Sequence, residues 1–214
     1  IRLSLVGSEM CIRDRYSILE SPGESEIPNG NGNKRDLGMQ TALFVARTIH
    51  NDLTLVNASS WSWWTALTRA DYKDGLVYLD DGTNNGSQVT DYCKKDGFAR
   101  DSKLMWMLGN YSFFVRPGMK RVAVITENPD PEKESKDVMI SAYKDGSSKK
   151  IVLVAVNVGS VNRKYNLQDL KLKNQTLTPY TTSETSNLGK GTTIKTNEIV
   201  VPAKSVVTFV GELE

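Results

Sequence analysis

Apolar residues in the first half of the chain recur at the spacing of a helix. They lie three and four positions apart after Asp36, a residue type that caps helix N-termini: Met39, Ala42, Leu43, Ala46 and Ile49. This pattern predicts a helix that ends at Asn51–Asp52. The next segment, LTLVNAS (53–59), is short, apolar and rich in β-branched residues, so it is predicted to be a strand.

A second helix is predicted from Asp101 or Ser102 through KLMWMLGNYSFFV. Its predicted apolar face consists of Leu104, Met105, Leu108, Tyr111 and Ser112, and Trp106 and Met107 broaden this apolar surface. Arg116-Pro117 ends this helix, because proline cannot continue it and disfavours helical geometry in the residue before itself. Between the two helices, a short strand or hairpin is expected around Gly75–Asp80.

From residue 119 the hydrophobic period changes to two, which is the period of half-buried strands. The predicted strands are KRVAVIT, DVMISAYK, KKIVLVAVNV, RKYNL, QTLTPYTTS, EIVVPA and SVVTFVGEL. Turn residues separate them, and KDGSSKK is a hairpin connection. This many short strands at such spacing predicts an antiparallel β-sandwich.

Composition narrows the classes of function. The chain has 27 basic and 25 acidic side chains, and this balance gives no electrostatic reason to expect nucleic acid or an anionic membrane as a partner. Two cysteines and one histidine, His50, do not provide a disulfide framework, a zinc site or the usual Ser-His-Asp triad. We therefore expect no metal and no cofactor, and we expect His50 at the surface or at the end of its helix.

Two features predict that the chain is part of a longer protein. Residues 1–15 resemble a translated sequencing-adapter sequence and are predicted to be non-native. The helix–strand–helix pattern of 36–115 resembles part of an α/β domain, yet a complete (β/α)8 barrel takes about 250 residues. The predicted fold class is therefore an α+β fragment, in which the last strand–helix units of a (β/α)8 barrel are followed by an antiparallel β-sandwich.

Several stretches resemble one enzyme family. YSIL, ALFVARTIHNDLTLVNASSWSWWTALTRADYKDGLVYLD, SKLMWMLGNYSFFVRPGMKRV and VVPAKSVVTFVG are similar, in this order, to the C-terminal half of glycoside hydrolase family 30. The resemblance covers 16–214 and is greatest to the bacterial β-1,6-glucanase and β-1,6-galactanase branch. It implies a barrel remnant over 16–118, a β-sandwich accessory domain over 119–214 and a β-linked glycan as substrate.

The resemblance also implies that the catalytic carboxylates are missing. The family places its nucleophilic glutamate immediately before Tyr-Ser, where this chain has Arg15, and its acid/base glutamate lies further upstream. A retaining glycosidase needs two carboxyl groups about 5–5.5 Å apart, and a permanently cationic arginine cannot attack the anomeric carbon. We therefore predict no catalytic residue in this chain and no glycoside hydrolysis by it.

The segment NASSWSWW holds three of the four tryptophans, and in the family it lies at the C-terminal end of barrel strand 8, where barrel enzymes have their active site. Strand alternation places Trp61 and Trp63 on one side and Trp64 on the other. Trp63 is the first candidate for a sugar platform and Trp61 the second, while Trp64 is expected to pack against neighbouring helices. Tyr72 and Asp71 are candidates to line the cleft, although all three tryptophans could instead belong to the core.

Two other classes of function fit parts of the pattern. One is a carbohydrate-binding or structural β-sandwich module with a helical leader; it is disfavoured because 119–214 contains no tryptophan. The other is a complete small α/β binding protein, which conflicts with the missing strands. We expect a monomer without a membrane-spanning segment. Because polysaccharides lie outside cells, the parent enzyme is expected to be secreted or periplasmic.

Overall fold

The computed structural model describes residues 16–18, 35–70, 72–80, 97–125, 130–168, 170–197 and 199–214. The chain forms two compact units, Ile1–Met105 and Trp106–Glu214. The predicted non-native segment 1–15 lies outside the described residues. The assignment of 16–118 and 119–214 as separate domains stays a prediction.

The first predicted helix is confirmed as α1, Met39–Thr54. Its predicted apolar positions are all buried, together with Val45. Gly38, not Asp36, is the N-cap residue. The Asp36 carboxylate nevertheless stabilises the N-terminus, because it accepts hydrogen bonds from the Gly38 N–H at 2.7 Å and the Thr41 N–H at 2.8 Å. These two bonds satisfy amides that have no partner inside the helix.

The strand predicted over 53–59 is wrong, because α1 continues to Thr54 and a loop follows. The Leu55 and Val56 side chains are 61% and 57% exposed, so the short apolar run does not enter a core. Their N–H groups both donate to the Asn51 carbonyl, which prolongs the helical hydrogen bonding past the predicted end. His50 lies near the end of α1, as expected, but it is buried rather than at the surface.

A small sheet completes the first unit. It consists of β1 (Leu67–Thr68), β2 (Val77–Asp80) and β3 (Phe98–Asp101). Strand β2 confirms the predicted strand near Gly75–Asp80; it pairs in parallel with β1 and antiparallel with β3. The pattern did not predict β1 or β3, which are short and largely exposed.

The second predicted helix is confirmed as α2, Lys103–Ser112, and the division between the two units falls inside it. Its buried stripe includes Leu104, Met107 and Tyr111, whereas Ser112 is exposed. The predicted apolar surface is therefore confirmed at Leu104, Met107 and Tyr111 and wrong at Ser112.

The second unit is built mainly of strands. In chain order its elements are β4 (Lys120–Val122), α3 (Pro131–Glu134), β5 (Val138–Lys144), β6 (Lys150–Asn157), β7 (Arg163–Tyr165), β8 (Thr176–Ser183), β9 (Ser186–Lys190), β10 (Ile194–Lys195), β11 (Ile199–Val201) and β12 (Ser205–Glu212). All seven predicted strands are present, and β9 and β10 add to them. The large sheet has the order β10-β8-β12-β6-β5-β4, with β9 paired to β8.

The predicted sandwich is unequal in its two layers. One face of the large sheet packs on the two-stranded β7–β11 ribbon, and its core includes Leu153, Leu177, Val201 and Phe209. The other face carries the Trp106–Ser112 part of α2, whose Asn110 side chain donates to the Tyr180 carbonyl and to Thr208. The described residues thus form a β-rich fold with few helices. The barrel origin of the first unit stays a prediction.

Candidate functional site

Three aromatic rings form a cluster in the first unit, here called the aromatic cluster: Tyr16, Trp61 and Trp63. The two indole rings lie 5.9 Å apart between centroids with an interplanar angle of 13°. The Tyr16 ring lies 6.2 Å from Trp61 and 5.8 Å from Trp63, at angles of 26° and 28°. These separations and small angles are those of offset-stacked aromatic rings.

Backbone pairing fixes the position of Tyr16 beside the tryptophans. Tyr16 and Trp63 form a parallel bridge, in which the Tyr16 N–H donates to the Ser62 carbonyl at 3.1 Å and the Trp64 N–H donates to the Tyr16 carbonyl at 2.9 Å. Arg15 lies outside the described residues. Its chain neighbour Tyr16 is held against the tryptophan segment.

Both indole N–H groups of the aromatic cluster have acceptors. Trp61 Nε1 donates to Asp52 Oδ2 at 2.9 Å, and Asp52 is a buried residue of α1. Trp63 Nε1 donates to the Asp74 carbonyl at 2.7 Å, which also accepts from the Thr65 N–H at 3.1 Å. Each indole is therefore anchored at its nitrogen edge, and this fixes the orientation of the ring.

The loop that supplies the Asp74 carbonyl is itself held by a buried tyrosine. The fully buried Tyr78 hydroxyl donates to the Tyr72 carbonyl at 2.6 Å and accepts from the Gly75 N–H at 3.1 Å. Ser102 Oγ lies 3.0 Å from the Gly75 carbonyl, to which it donates. Burial raises the pKa of the Tyr78 hydroxyl far above its usual range, so it is a neutral donor at neutral pH.

Charged groups surround the same loop. Asp80 forms ion pairs with Arg35 and with Arg100, each at 2.6 Å, and the Arg35 guanidinium lies 4.8 Å from the Tyr78 ring centroid. Burial by itself would raise the pKa of Asp80, but the hydrogen bonds and charges of the two arginines outweigh it and lower that pKa. Burial raises the pKa of Asp74 and outweighs the lowering effect of a hydrogen bond from its own backbone N–H.

The structure places the predicted binding residues in different surroundings. Trp61 and Trp63 lie on the same side, as strand alternation predicted, and both are half-buried. Trp64 is 50% exposed, and its packing against neighbouring helices stays a prediction. Tyr72 is half-buried and contributes its carbonyl to Tyr78, while Asp71 lies outside the described residues. Binding roles for these residues stay predictions.

Sequence reasoning missed three members of the arrangement: Tyr16, Asp52 and Asp74. Tyr16 was within the quoted YSIL stretch and could have been found from the resemblance. Asp52 accepts from the indole of Trp61, 9 positions along the chain, and the Asp74 carbonyl accepts from that of Trp63, 11 positions away. No local pattern predicts contacts at these separations.

The described residues contain no group of three or more His, Cys, Asp and Glu side chains placed to hold a metal ion. Among the same residues, no helix is both long enough and apolar enough to cross a bilayer.

Comparison with protein families and curated proteins identifies relatives. The model of O-Glycosyl hydrolase family 30 matches residues 10–78, which include the whole aromatic cluster. The chain is 31% identical over 193 residues to a glucuronoxylanase XynC of Bacillus subtilis and 32% identical to that of B. subtilis strain 168. These matches cover 87% of this chain but only 38% of each relative's length.

Comparison with solved structures also identifies matches to this chain. A conserved exported protein from Bacteroides fragilis is 36% identical, with a TM-score of 0.74, over 92% of this chain and 38% of that one. A family 30 endoxylanase from Clostridium papyrosolvens C71 has a TM-score of 0.57 over 84% of this chain and 40% of that one; at 24% identity it shows the fold alone. The matches together support glycoside hydrolase family 30. The matches named here by activity are a glucuronoxylanase and an endoxylanase, so the β-1,6-glucanase and β-1,6-galactanase branch is not confirmed.

Proposed function

We propose that this chain is part of a family 30 retaining glycoside hydrolase and contributes an aromatic platform for a β-linked glycan. The aromatic cluster is the observation that carries the proposal. Sugar rings present apolar C–H faces that pack on aromatic planes, and ligand sites combine such surfaces with a few oriented polar groups. Here the Trp61 and Trp63 rings are held nearly parallel and are anchored at their nitrogen edges.

Xylan is the preferred backbone. The glucuronoxylanase relatives match 87% of this chain, and the family model covers the cluster itself. A β-1,6-glucan or β-1,6-galactan, which the sequence resemblance favoured, is the second candidate. A non-catalytic carbohydrate-binding or structural module is the alternative from another class, and it predicts that glycan binding does not depend on Trp63.

The polypeptide of residues 1–214 is proposed to be inactive by itself. Arg15 occupies the position before Tyr16, where the family's nucleophilic glutamate belongs, and it would bring positive charge to a transition state of oxocarbenium character. Asp52, the described carboxylate that contacts the cluster, already accepts the Trp61 N–H and is buried. Release of reducing ends from any of the three glycans by this polypeptide would refute the proposed inactivity.

Affinity electrophoresis of the purified chain tests the binding role. Gels containing glucuronoxylan, β-1,6-glucan or β-1,6-galactan are compared, with Trp63→Ala as the test variant. Phe113→Ala is the matched control, because Phe113 is a 69% exposed aromatic residue of the second unit. Loss of one stacking ring costs roughly 1 kcal/mol, or about fivefold in affinity.

We expect retardation in glucuronoxylan that Trp63→Ala weakens and Phe113→Ala leaves unchanged. Equal retardation of the parent chain and Trp63→Ala would refute the platform, and stronger retardation in a β-1,6-linked glycan would refute xylan. The glycan lies outside the cell, so we propose that the enzyme acts there; detection of the protein only in the cytoplasm of its host would contradict this.

A further inference from the structure

The second unit contains a polar groove, here called the sheet-end groove, that the proposed function leaves unused. Its volume is about 590 Å³, which falls within the roughly 300–1,000 Å³ typical of small-molecule sites. The side chains that carry its chemistry are Ser148, Lys150, Lys173, Thr178, Thr193 and Glu212. All of them belong to Trp106–Glu214, whereas the aromatic cluster belongs to Ile1–Met105.

Strand alternation explains why polar side chains meet there. Lys150 on β6 is directly opposite Glu212 on β12, and Thr178 on β8 is opposite Val210. These residues share the face of the sheet that α2 covers further along, at Thr208. Beyond that contact the same face changes from buried to partly exposed residues, and it becomes the floor of the groove.

The groove has more positive than negative side chains. The Glu212 carboxylate forms an ion pair with Lys173 at 3.2 Å. Within the described part of the chain, Lys150 has no ion-pair partner closer than 4 Å, although it is half-buried. Two further charged side chains contact the lining residues: Lys195 donates to the Asn174 carbonyl at 3.3 Å, and the Asp145 carboxylate accepts from Ser148 at 2.6 Å.

Hydroxyl groups provide the rest of the lining. The Thr178 and Thr193 hydroxyls lie 3.1 Å apart, so one donates to the other while the acceptor's own proton is left for a further partner. Ser148 is oriented by Asp145, to which its hydroxyl donates at 2.6 Å, and these bonds help to lower the pKa of Asp145 to about 2. The lining thus combines hydrogen-bonded hydroxyls with an ammonium group that has no ion pair among the described residues.

We propose that the sheet-end groove binds a carboxylated sugar unit of an acidic polysaccharide. Lys150 would pair with the uronate carboxylate, and Thr178 and Thr193 would hydrogen-bond the sugar hydroxyls. A neutral sugar would leave the ammonium group of Lys150 unmatched, and a simple anion would leave the hydroxyls unused. The ligand class that satisfies both is a uronic acid residue, bound at a second site distinct from the aromatic platform.

Isothermal titration calorimetry of the whole chain tests this proposal with two probes of equal length: a glucuronate-bearing xylo-oligosaccharide and its uncharged counterpart. Lys150→Gln is the test variant. Lys164→Gln is the matched control, because it removes the same charge from an exposed position on β7 of the ribbon. An exposed or partly exposed charge pair contributes up to about fivefold in affinity, and added salt screens it.

We expect the acidic probe to bind about fivefold more weakly to Lys150→Gln than to the parent or to Lys164→Gln, and to bind more weakly at high salt. Trp63→Ala should retain this charge-dependent part of the binding, which separates the groove from the platform. Amide chemical-shift changes on titration should fall at 148–150, 173–178 and 210–212. Equal affinity for the two probes, an unchanged affinity of Lys150→Gln, or shift changes confined to the aromatic cluster would each overturn the proposal.

Discussion

Substitution of Gly75 by alanine should destabilise the first unit and disturb Trp63 at the same time. A Cβ atom added at Gly75 would lie 2.5 Å from Thr68 Cγ2 and 2.7 Å from Tyr78 Cζ. The threonine methyl group can move only by rotation about χ1, which would disturb the hydrogen bond that Thr68 Oγ1 accepts from the Ala70 N–H at 3.0 Å. The Tyr78 ring cannot retreat, because it is fully buried and its hydroxyl is bonded on both sides, to the Tyr72 carbonyl and the Gly75 N–H.

The clash must therefore be relieved by movement of the backbone around Gly75. Overpacking of this kind typically costs about 1–3 kcal/mol. The displaced segment includes the Asp74 carbonyl that accepts the Trp63 N–H, and a weakened hydrogen bond adds about 1 kcal/mol. We expect a total loss of about 2–4 kcal/mol in the free energy of unfolding.

Urea unfolding followed by tryptophan fluorescence measures this loss, since three of the four tryptophans lie in the first unit. Gly146→Ala is the matched control, because a Cβ atom built there meets nothing within 4 Å. We expect Gly75→Ala to lower the urea midpoint and shift the native emission, and Gly146→Ala to do neither. Equal midpoints for the two variants would refute the claim that the loop is locked against the Tyr78 ring.

Two further predictions concern buried polar groups. Asn110→Ala removes the hydrogen bonds to the Tyr180 carbonyl and to Thr208, both 3.0 Å long, and should lower the free energy of unfolding by about 1–3 kcal/mol, measured by thermal unfolding. The control is Ser112→Ala at an exposed position of the same helix, which should cost nothing measurable. Equal stability of the two variants would contradict the role of Asn110. Asp74→Asn should stabilise the chain at neutral pH. Burial raises the folded-state pKa of Asp74 above 3.8, so this carboxyl favours the folded state only while it is protonated. Its contribution to stability is fully present below pH 3.8 and is lost as the pH rises through the folded-state pKa. Urea midpoints at pH 4 and pH 7 check this, and an identical pH dependence of parent and variant would contradict it.

Long periodic segments were predictable because one physical signal dominates each of them. Helix α1 repeats apolar residues on one face, and β6 and β12 are apolar runs long enough to form the centre of a sheet. Short elements were not predictable in the same way. The segment 53–59 has strand-like composition, yet its first residues continue α1, because hydrogen bonding to the preceding turn outweighs the weak preference of a few β-branched residues.

In the second unit, too, part of the architecture was predictable from the sequence and part was not. The alternating pattern predicted strands, but it could not show that one layer would have seven strands and the other only two. Layer membership depends on pairings such as β7 with β11, which join residues more than 30 positions apart. Local patterns specify which face of a strand is apolar, whereas long-range pairing decides which surface covers that face.

The aromatic cluster shows why the candidate site was only partly predictable. Strand alternation indicated that Trp61 and Trp63 share a side, but the two rings are held in different ways. Trp61 depends on the carboxylate of Asp52, so the identity of that side chain matters. Trp63 depends on the main-chain carbonyl of residue 74, which any amino acid would supply. The position of that carbonyl depends instead on Gly75, the residue after Asp74. There the chain passes too close to the buried Tyr78 ring to tolerate a side chain. A search for polar side chains that orient the platform would find Asp52 and overlook this glycine.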